Sequence, residues 1–438
     1  MEWYFTLVLL FGSVVLLMAT GLPVAFCFLL VGVGASFILW GGGVGIQQLS
    51  QQIFSSIANF SLIPLPLFII MGEILFHSGI AVQLINALDK FLGRVPGRLS
   101  LLAVYAGALL STLTGASMSS TALLGSVLVP EMEKRGYKKS MSLGPILGSG
   151  GLAIMIPPSA LGVLLAAIGE ISVGELLVAI VIPGVLMAVL YTIYIVLRCK
   201  FRPELAPAFD ITPAPLVDKL MAFVRYVVPT GIIMFMVTGV ILLGLATPTE
   251  AAATGVAGSL IMISLHGKIN WEVVKKSTLG SAKIAAMVFM IIAVAKTYSQ
   301  VLTYTGASQE LVKFTLHLPL SPIFIVAGML VIVLLLGMFI DPASIMLITL
   351  PMFMPIIRTL GFSDIWFGAM FLLCIEMATT TPPFGLCLFV MKGVAPPDTT
   401  MGDCYLAALP FLYCDAVVMI LMLVFPSLAL WLPGVMRG

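Results

Sequence analysis

The residues best placed to do chemistry in this sequence are polar groups stranded in apolar surroundings. The segment LGMFIDPAS (Leu336–Ser344) lies inside a hydrophobic run from about Pro322 to Ile357. Asp341 is ionisable, Pro342 removes a backbone donor, and Gly337 loosens the turn before them. Asp-Pro also reads as a helix start, with Asp341 as N-cap and Pro342 at the first helical position. The run is therefore two half-helices with a polar tip between them. In lipid, irregular backbone persists only where it is buried in protein or lines a cavity. Such a tip is a candidate site for a small ion or solute.

A second copy of this arrangement lies earlier in the chain. Subtracting 225 from Pro355, Gly361, Pro382 and Pro383 gives Pro130, Gly136, Pro157 and Pro158, and Pro248 maps the same way onto Pro23. The partner of the Asp341 tip is then Gly115–Thr121 (GASMSST), and the partner of Thr379–Gly385 (TTTPPFG) is Ile156–Gly162 (IPPSALG). Each half carries a broken hairpin followed by a helix broken at Pro-Pro.

A half-helix N-terminus offers free N–H groups and a positive dipole end, which suits a carboxylate. A half-helix C-terminus and unwound carbonyls suit Na⁺. Candidate Na⁺ ligands are Thr114, Gly115, Ser117, Gly150, Pro157, Gly337, Asp341, Thr379 and Thr380. Candidate substrate contacts are Ser117, Ser119, Ser120, Asp341, Ser344, Pro158 and Thr381. Plainer readings stand beside these. Asp341 can simply cap its half-helix, and Ser117 and Ser119 can be small residues for close helix packing. Glu250 in TPTE (247–250) completes a capping box with Thr247. Glu73, Lys296, Glu376 and Asp415 are isolated intramembrane charges whose partners the sequence does not reveal. The 26 Met are packing and lipid-facing filler. No cluster resembles a nucleophile–base pair, and no Gly-rich loop with Lys exists for ATP. The chain reads as no enzyme, and transport must be driven by a gradient or by another chain.

Composition fixes the class. Of 438 residues, 61% are hydrophobic and only 9% charged, which no soluble domain matches. The chain is an all-α polytopic membrane protein with two pseudo-repeats. The six Cys form no CxxC and mostly lie in apolar runs, so disulfides and metal are not expected. The three His are scattered, and no basic tract marks a nucleic-acid partner. The first segment, WYFTLVLLFGSVVLLMAT, has no basic n-region and no small-residue cleavage site, so it reads as a retained span.

Spans are expected at about 3–20, 24–40 and 54–76, then an interfacial amphipathic helix over 80–98. The first hairpin follows (99–130), then the basic loop EMEKRGYKKS, the broken helix (141–169) and a span to Leu197. Arg198–Arg225, with four Pro, is the linker. The second half has spans at 226–245 and 249–265, a polar stretch 266–283, and a span at 284–304 with an amphipathic segment after it. The second hairpin (321–357), a broken helix (366–392) and a last span (404–432) close the chain. If Lys134–Lys139 is cytoplasmic, almost all of the 21 Lys and Arg fall on that side. Both chain ends are then outside, and the hairpins open to opposite sides. The halves are thus inverted-topology repeats, each with a re-entrant hairpin and a Pro-Pro-broken helix, with a site at the midplane.

At these residues the chain resembles the large membrane subunit of tripartite ATP-independent periplasmic (TRAP) transporters, the DctM-like family. The resemblance spans nearly the whole chain. It rests on GLPVAF (21–26), IPLPLFIIMGEIL (63–75), GASMSSTALLGSVLVPEMEKRGY (115–137), IPPS (156–159), LATPTEAAATG (245–255), GMFIDPASIMLITLPMFMPI (337–356) and TTPPFG (380–385). It implies an elevator, in which hairpins and broken helices move as one body against a scaffold. On that plan 1–98 and 226–320 are scaffold with an arm helix, 99–197 and 321–438 are transport parts, and 198–225 is a cytoplasmic linker. The resemblance further implies Na⁺ as the driving ion and an organic anion delivered by a periplasmic binding protein. It also implies location in a bacterial inner membrane. A small four-span subunit completes the scaffold, here expected as a separate chain because nothing precedes the first span. Some members carry an acidic residue shortly after the Gly-x-Ser of the first hairpin, where this chain has Ser119, Ser120 and Thr121. The rival readings are a stand-alone Na⁺-coupled dicarboxylate carrier of the same architecture and, remotely, a membrane subunit of a respiratory enzyme.

Overall fold

Apolar runs interrupted by Gly and Pro can only satisfy their backbone in lipid as helices, and the computed structural model is 82% helix. It describes residues 3–93, 95–114, 117–207 and 215–437, and no strand occurs among them. Among the described residues five helical segments are long and apolar enough to cross a membrane, seven if each of two bent helix pairs is counted as one span. The protein is a polytopic membrane protein.

Helices α1 (Trp3–Ala19), α2 (Val24–Leu39) and α3 (Gly43–Ile57) come first. The expected span over 54–76 is not continuous. A 3-10 turn at Phe60–Leu62 intervenes, and Pro64 opens a new helix, α4 (Pro64–His77). Proline lacks the N–H that a continuing helix would use, so it sits in the first turn. Helix α5 (Ile80–Asp89) is shorter than the 80–98 expected for it. Asp89 pairs with Arg98 at 2.8 Å, and Arg98 starts the next helix instead. The apolar face of α5, with Ile80, Leu84 and Ile85, is buried by protein rather than laid on lipid.

The first hairpin is α6 (Arg98–Thr114) and α7 (Ser117–Lys134). A short α8 (Lys139–Ser142) precedes the broken helix, whose halves are α9 (Gly144–Met155) and α10 (Ala160–Gly169). Helices α11 (Val173–Ala179) and α12 (Val181–Phe201) end the first half.

In the second half α13 (Leu216–Ala222), α14 (Val228–Met234) and α15 (Val240–Leu242) are joined through π-helical turns at 223–227 and 235–239. Next comes α16 (Pro248–Leu265). The stretch expected to be polar and non-spanning at 266–283 is largely the start of a single helix, α17 (Trp271–Tyr304), because Asn270 caps it and no Gly-Pro break follows. Helix α18 (Ala307–Leu316) leads to the second hairpin, α19 (Pro322–Gly337) and α20 (Pro342–Thr359). The second broken helix is α21 (Asp364–Thr380) and α22 (Leu386–Val394). The last span is divided by Pro426 into α23 (Met401–Val424) and α24 (Ser427–Arg437). Each hairpin ends on a glycine at positive φ, Gly136 at 79° and Gly361 at 78°, the left-handed stop that lets the chain reverse into the following helix.

The centre is built on α9 and α21, which pack against each other. Every residue of α9 is buried, and nearly all of α21. The hairpins pack on them crosswise. Helix α7 lies on α9 and on α22, whereas α20 lies on α21 and on α10. A second group, α2, α3, α4, α16 and α17, packs side by side along this centre.

Candidate functional site

Four half-helices begin at membrane depth by sequence: α7, α10, α20 and α22. Their first N–H groups have no intrahelical acceptor. Local chemistry satisfies some of them. Ser159 caps α10, its Oγ accepting from Gly162 N at 3.1 Å. Asp341 caps α20, with Oδ2 accepting from Ser344 N at 3.1 Å, while Ser344 Oγ donates to Oδ1. Of the two readings of Asp341, the cap is therefore realised in full. Helix α7 has no acidic residue in its first turn.

The first tip meets both broken helices. Ser117 and Thr121 face Gly150 of α9, and a Cβ placed there would lie 2.0 Å from Thr121 Oγ1. Only glycine allows that approach. The Cys387 thiol of α22 lies beside the hydroxyls of Thr121 and Thr379. Ser117 Oγ is buried with no hydrogen-bond partner among the described residues, and Thr121 Oγ1 is buried with only the weakly bonding Cys387 thiol beside it. An unsatisfied buried hydroxyl costs roughly 1–3 kcal/mol.

At the second break the threonine hydroxyls donate backwards. Thr379 Oγ1 donates to Glu376 O at 2.8 Å, and Thr380 and Thr381 donate to Met377 O at 3.1 and 2.7 Å. All three hydroxyls are thus bonded back onto the last turn of α21. The loop then closes tightly, for a Cβ on Gly385 would come within 2.6 Å of Thr379 O and 2.9 Å of Thr381 O. Tyr405 Oη donates to Pro383 O at 2.7 Å. The X-Pro bonds Pro157–Pro158 and Pro382–Pro383 are both cis.

Of the residues singled out by sequence, Ser117, Gly150 and Thr379 come together around Thr121 and Cys387. Ser119 and Ser120 lie on the same turn, with Ser120 buried. Gly337 sits elsewhere, against α21, where its added Cβ would be 2.2 Å from Ala378 Cβ. Asp341 and Ser344 hold each other at the second tip. Pro157 and Pro158 form the α9–α10 break, as Thr380 and Thr381 form the end of α21. Gly115 and the side chain of Thr114 lie outside the described residues. Thr121 and Cys387 complete this cluster. Thr121 was legible as a tip hydroxyl, but Cys387 carried no signal, since a cysteine in an apolar run reads as packing.

The isolated charges prove to have partners. Glu73 pairs with His77 at 3.2 Å. Lys296 on α17 pairs with Glu170, between α10 and α11, next to a cavity of about 110 Å³ that Arg358 also lines. This pair holds the Glu170 carboxyl below the usual carboxylate range. Glu250 accepts from Thr247 N at 2.8 Å in a capping box. Glu376 and Asp415 lie against each other in the interior.

Fold and site together define a polytopic all-helical membrane protein organised around broken helices. The crystal structure of the YdaH transporter of Alcanivorax borkumensis shares this fold with a TM-score of 0.60 at 16% identity, over 88% of this chain and 90% of that one. Residues 11–428 match the family described as tripartite ATP-independent periplasmic transporter, DctM component, and the chain belongs to that family. It is 32% identical to the C4-dicarboxylate TRAP transporter large permease protein DctM of Pseudomonas aeruginosa, over 92% of each chain. It is 30% identical to the Rhodobacter capsulatus protein of the same name, over 98% of this chain and 99% of that one. The ectoine TRAP transporter large permease protein TeaC of Halomonas elongata is 27% identical, over 95% of this chain and 96% of its own. Membership implies a transport rather than an enzymatic role.

Proposed function

We propose that this chain is the large permease subunit of a TRAP system that takes up an organic anion, a carboxylate or dicarboxylate, driven by Na⁺. The single observation that carries this reading is the cluster where Ser117, Thr121, Gly150 and Thr379 converge around Cys387, with buried hydroxyl oxygens that no N–H or O–H among the described residues satisfies. A hard cation takes oxygen ligands at unwound half-helix ends. The C-terminal end of α21 supplies a negative dipole end and the Thr379 oxygen, and Thr121 supplies another. The anion is met by the N-terminus of α7, where no acidic residue stands. The start of α20 is already occupied by the Asp341 carboxylate. Cation and anion then lie side by side, each making the other's binding more favourable.

The crosswise packing supports inverted repeats. Exchanging α7 with α20, α9 with α21 and α10 with α22 turns each observed contact into its counterpart. On this reading the hairpins and broken helices move as a unit against α2, α3, α4, α16 and α17, in a bacterial inner membrane. A periplasmic binding protein delivers the substrate, and a small four-span subunit joins the stationary helices. The test is reconstitution. In liposomes, uptake is expected only when the large chain and small subunit meet external binding protein and an inward Na⁺ gradient. Robust uptake by the large chain alone would overturn the tripartite reading in favour of a stand-alone carrier.

A further inference from the structure

Lys296, Arg358 and Glu170 meet at one small cavity on the border between the central body and the flanking helices. The cavity, of about 110 Å³, lies among α10, α17 and α20, and both α10 and α20 pack on α17. Its charged lining among the described residues is two cations, Lys296 and Arg358, against one acid, Glu170. Arg358 stands near the C-terminal end of α20, ~24 Å from the Asp341 tip at 1.5 Å per residue, so this cavity is separate from the tips.

The three groups are held unequally. Lys296 stands between Ala295 and Thr297, each 2% exposed. Its side chain is 28% exposed, whereas that of Glu170 is 63% exposed. The cation is built in, and its acid partner faces the open side. A lysine within a membrane helix needs a counter-charge, yet Lys296 takes its own from across the boundary between the two groups of helices. Glu170 is also the one non-glycine residue at positive φ among the described residues, at 56°. The stop after α10 would ordinarily take glycine, so a carboxylate stands there against backbone preference. Arg358 is fixed from behind, with Nε donating to Asp364 Oδ2 at 2.9 Å and Nη2 to Gly169 O at 3.0 Å. A guanidinium carries five N–H donors, and Arg358 makes no other hydrogen bond among the described residues, so donors remain for a ligand. A wider, open cavity adjoins the small one at Glu170 and Arg358. It also carries Glu175 and Asp364, so it does not itself collect anions. The positive excess begins at Lys296.

We propose that Lys296 and Arg358 form an entry site for an organic carboxylate, and that the Glu170 carboxylate is a tethered stand-in which the incoming anion displaces. When the two groups of helices part, Glu170 leaves with α10 and Lys296 stays on α17 without its counter-charge. A carboxylate arriving from the open side makes the same contact. Taking the transported anion as that occupant rests on the functional reading above, whereas an anion site at Lys296 stands without it.

Ser299 lines the same cavity, so Ser299→Cys places a reporter there. In the protein in lipid, a methanethiosulfonate carrying a sulfonate is expected to react with that cysteine about tenfold faster than one carrying a trimethylammonium group. Lys296→Gln should abolish the preference and Glu170→Gln should raise it. If Lys296→Gln does not assemble, Arg358→Gln serves, since it should lower the same preference. No preference, one that neither cation variant moves, or a cysteine that reacts with neither reagent overturns the anion site. Uptake kinetics test the displacement. Lys296→Gln should raise KM about tenfold, and Glu170→Gln should lower it, because the competitor is gone. A pair that only latched the helices together would shift KM the same way in both variants, and uptake would return when the charges are exchanged (Glu170→Lys with Lys296→Glu). Either result overturns the displacement. Absence of uptake by the wild type with its partners and Na⁺ overturns the functional reading and leaves the labelling to decide the anion site alone.

Discussion

Thr121 and Asp341 are both polar residues at a helix tip, yet the structure gives them opposite fates. The Asp341 oxygens are taken up by Ser344, whereas Thr121 Oγ1 is buried with only the Cys387 thiol beside it among the described residues. Thr121→Val keeps the shape and removes the oxygen. It is expected to lower the apparent Na⁺ affinity about tenfold, or roughly 1.4 kcal/mol, read from uptake against Na⁺ concentration. Asp341→Asn is expected to leave that curve nearly unmoved, because Asn caps about as well as Asp, while Asp341→Ala loses about 1 kcal/mol of stability in a melting measurement. Gly150→Ala should abolish uptake, since its methyl group would meet Thr121 at 2.0 Å. The sequence displayed the tips because a polar group in an apolar run cannot hide. It did not display which tip hydroxyls stay unsatisfied, because Gly150 and Thr121 are far apart along the chain and meet only through packing.

Helix ends repeat the lesson. The Thr247–Glu250 capping box was readable from TPTE alone, since all its bonds lie within four residues, and it forms as expected. Glu250→Gln, which keeps a capping side chain, should transport normally in the same uptake assay. The end of α5 was misread, because the amphipathic pattern runs on to Arg98 but the ion pair with Asp89 fixes a turn there. At the base of the first hairpin, Lys139 joins Asp398 at 2.8 Å and Asp403 at 3.5 Å, tying α8 to the start of α23. The Asp398 carboxyl is held below its ordinary 3.8, with hydrogen bonding to Lys139 the leading cause. A carboxylate whose folded value is depressed stabilises the fold above its unfolded value and loses that contribution as pH falls through the folded one. The tie is expected to be intact at neutral pH and to fail only below about 3.8, so thermal melts of wild type and Lys139→Ala should converge there.

At the scale of the whole molecule, Lys296 and Glu170 join the flanking helices to the central body. If the two groups of helices slide past each other, that pair has to part. Cysteines at 170 and 296 should therefore arrest uptake when oxidised and restore it when reduced, read in vesicles with and without reductant. The overall plan was legible because the offset of 225 recurs at punctuating Pro and Gly residues, which tolerate few substitutes. The pairing of α9 with α21, and of Glu376 with Asp415, was not, since contacts between halves leave no periodic trace. The crosswise packing also has a consequence for synthesis. Helix α7 rests partly on α22, and α10 on α20, so the first half leaves the ribosome with two of its faces waiting for partners not yet made. The α7 face carries Gly125, which packs on Val394 and Met391, and the Thr121 hydroxyl beside Cys387. The nascent half is thus an unfinished client for the insertion machinery until the last third of the chain arrives. Cut in the 198–225 linker and co-expressed, the two halves should assemble, while the first half alone should be degraded, as immunoblots of membrane fractions would show.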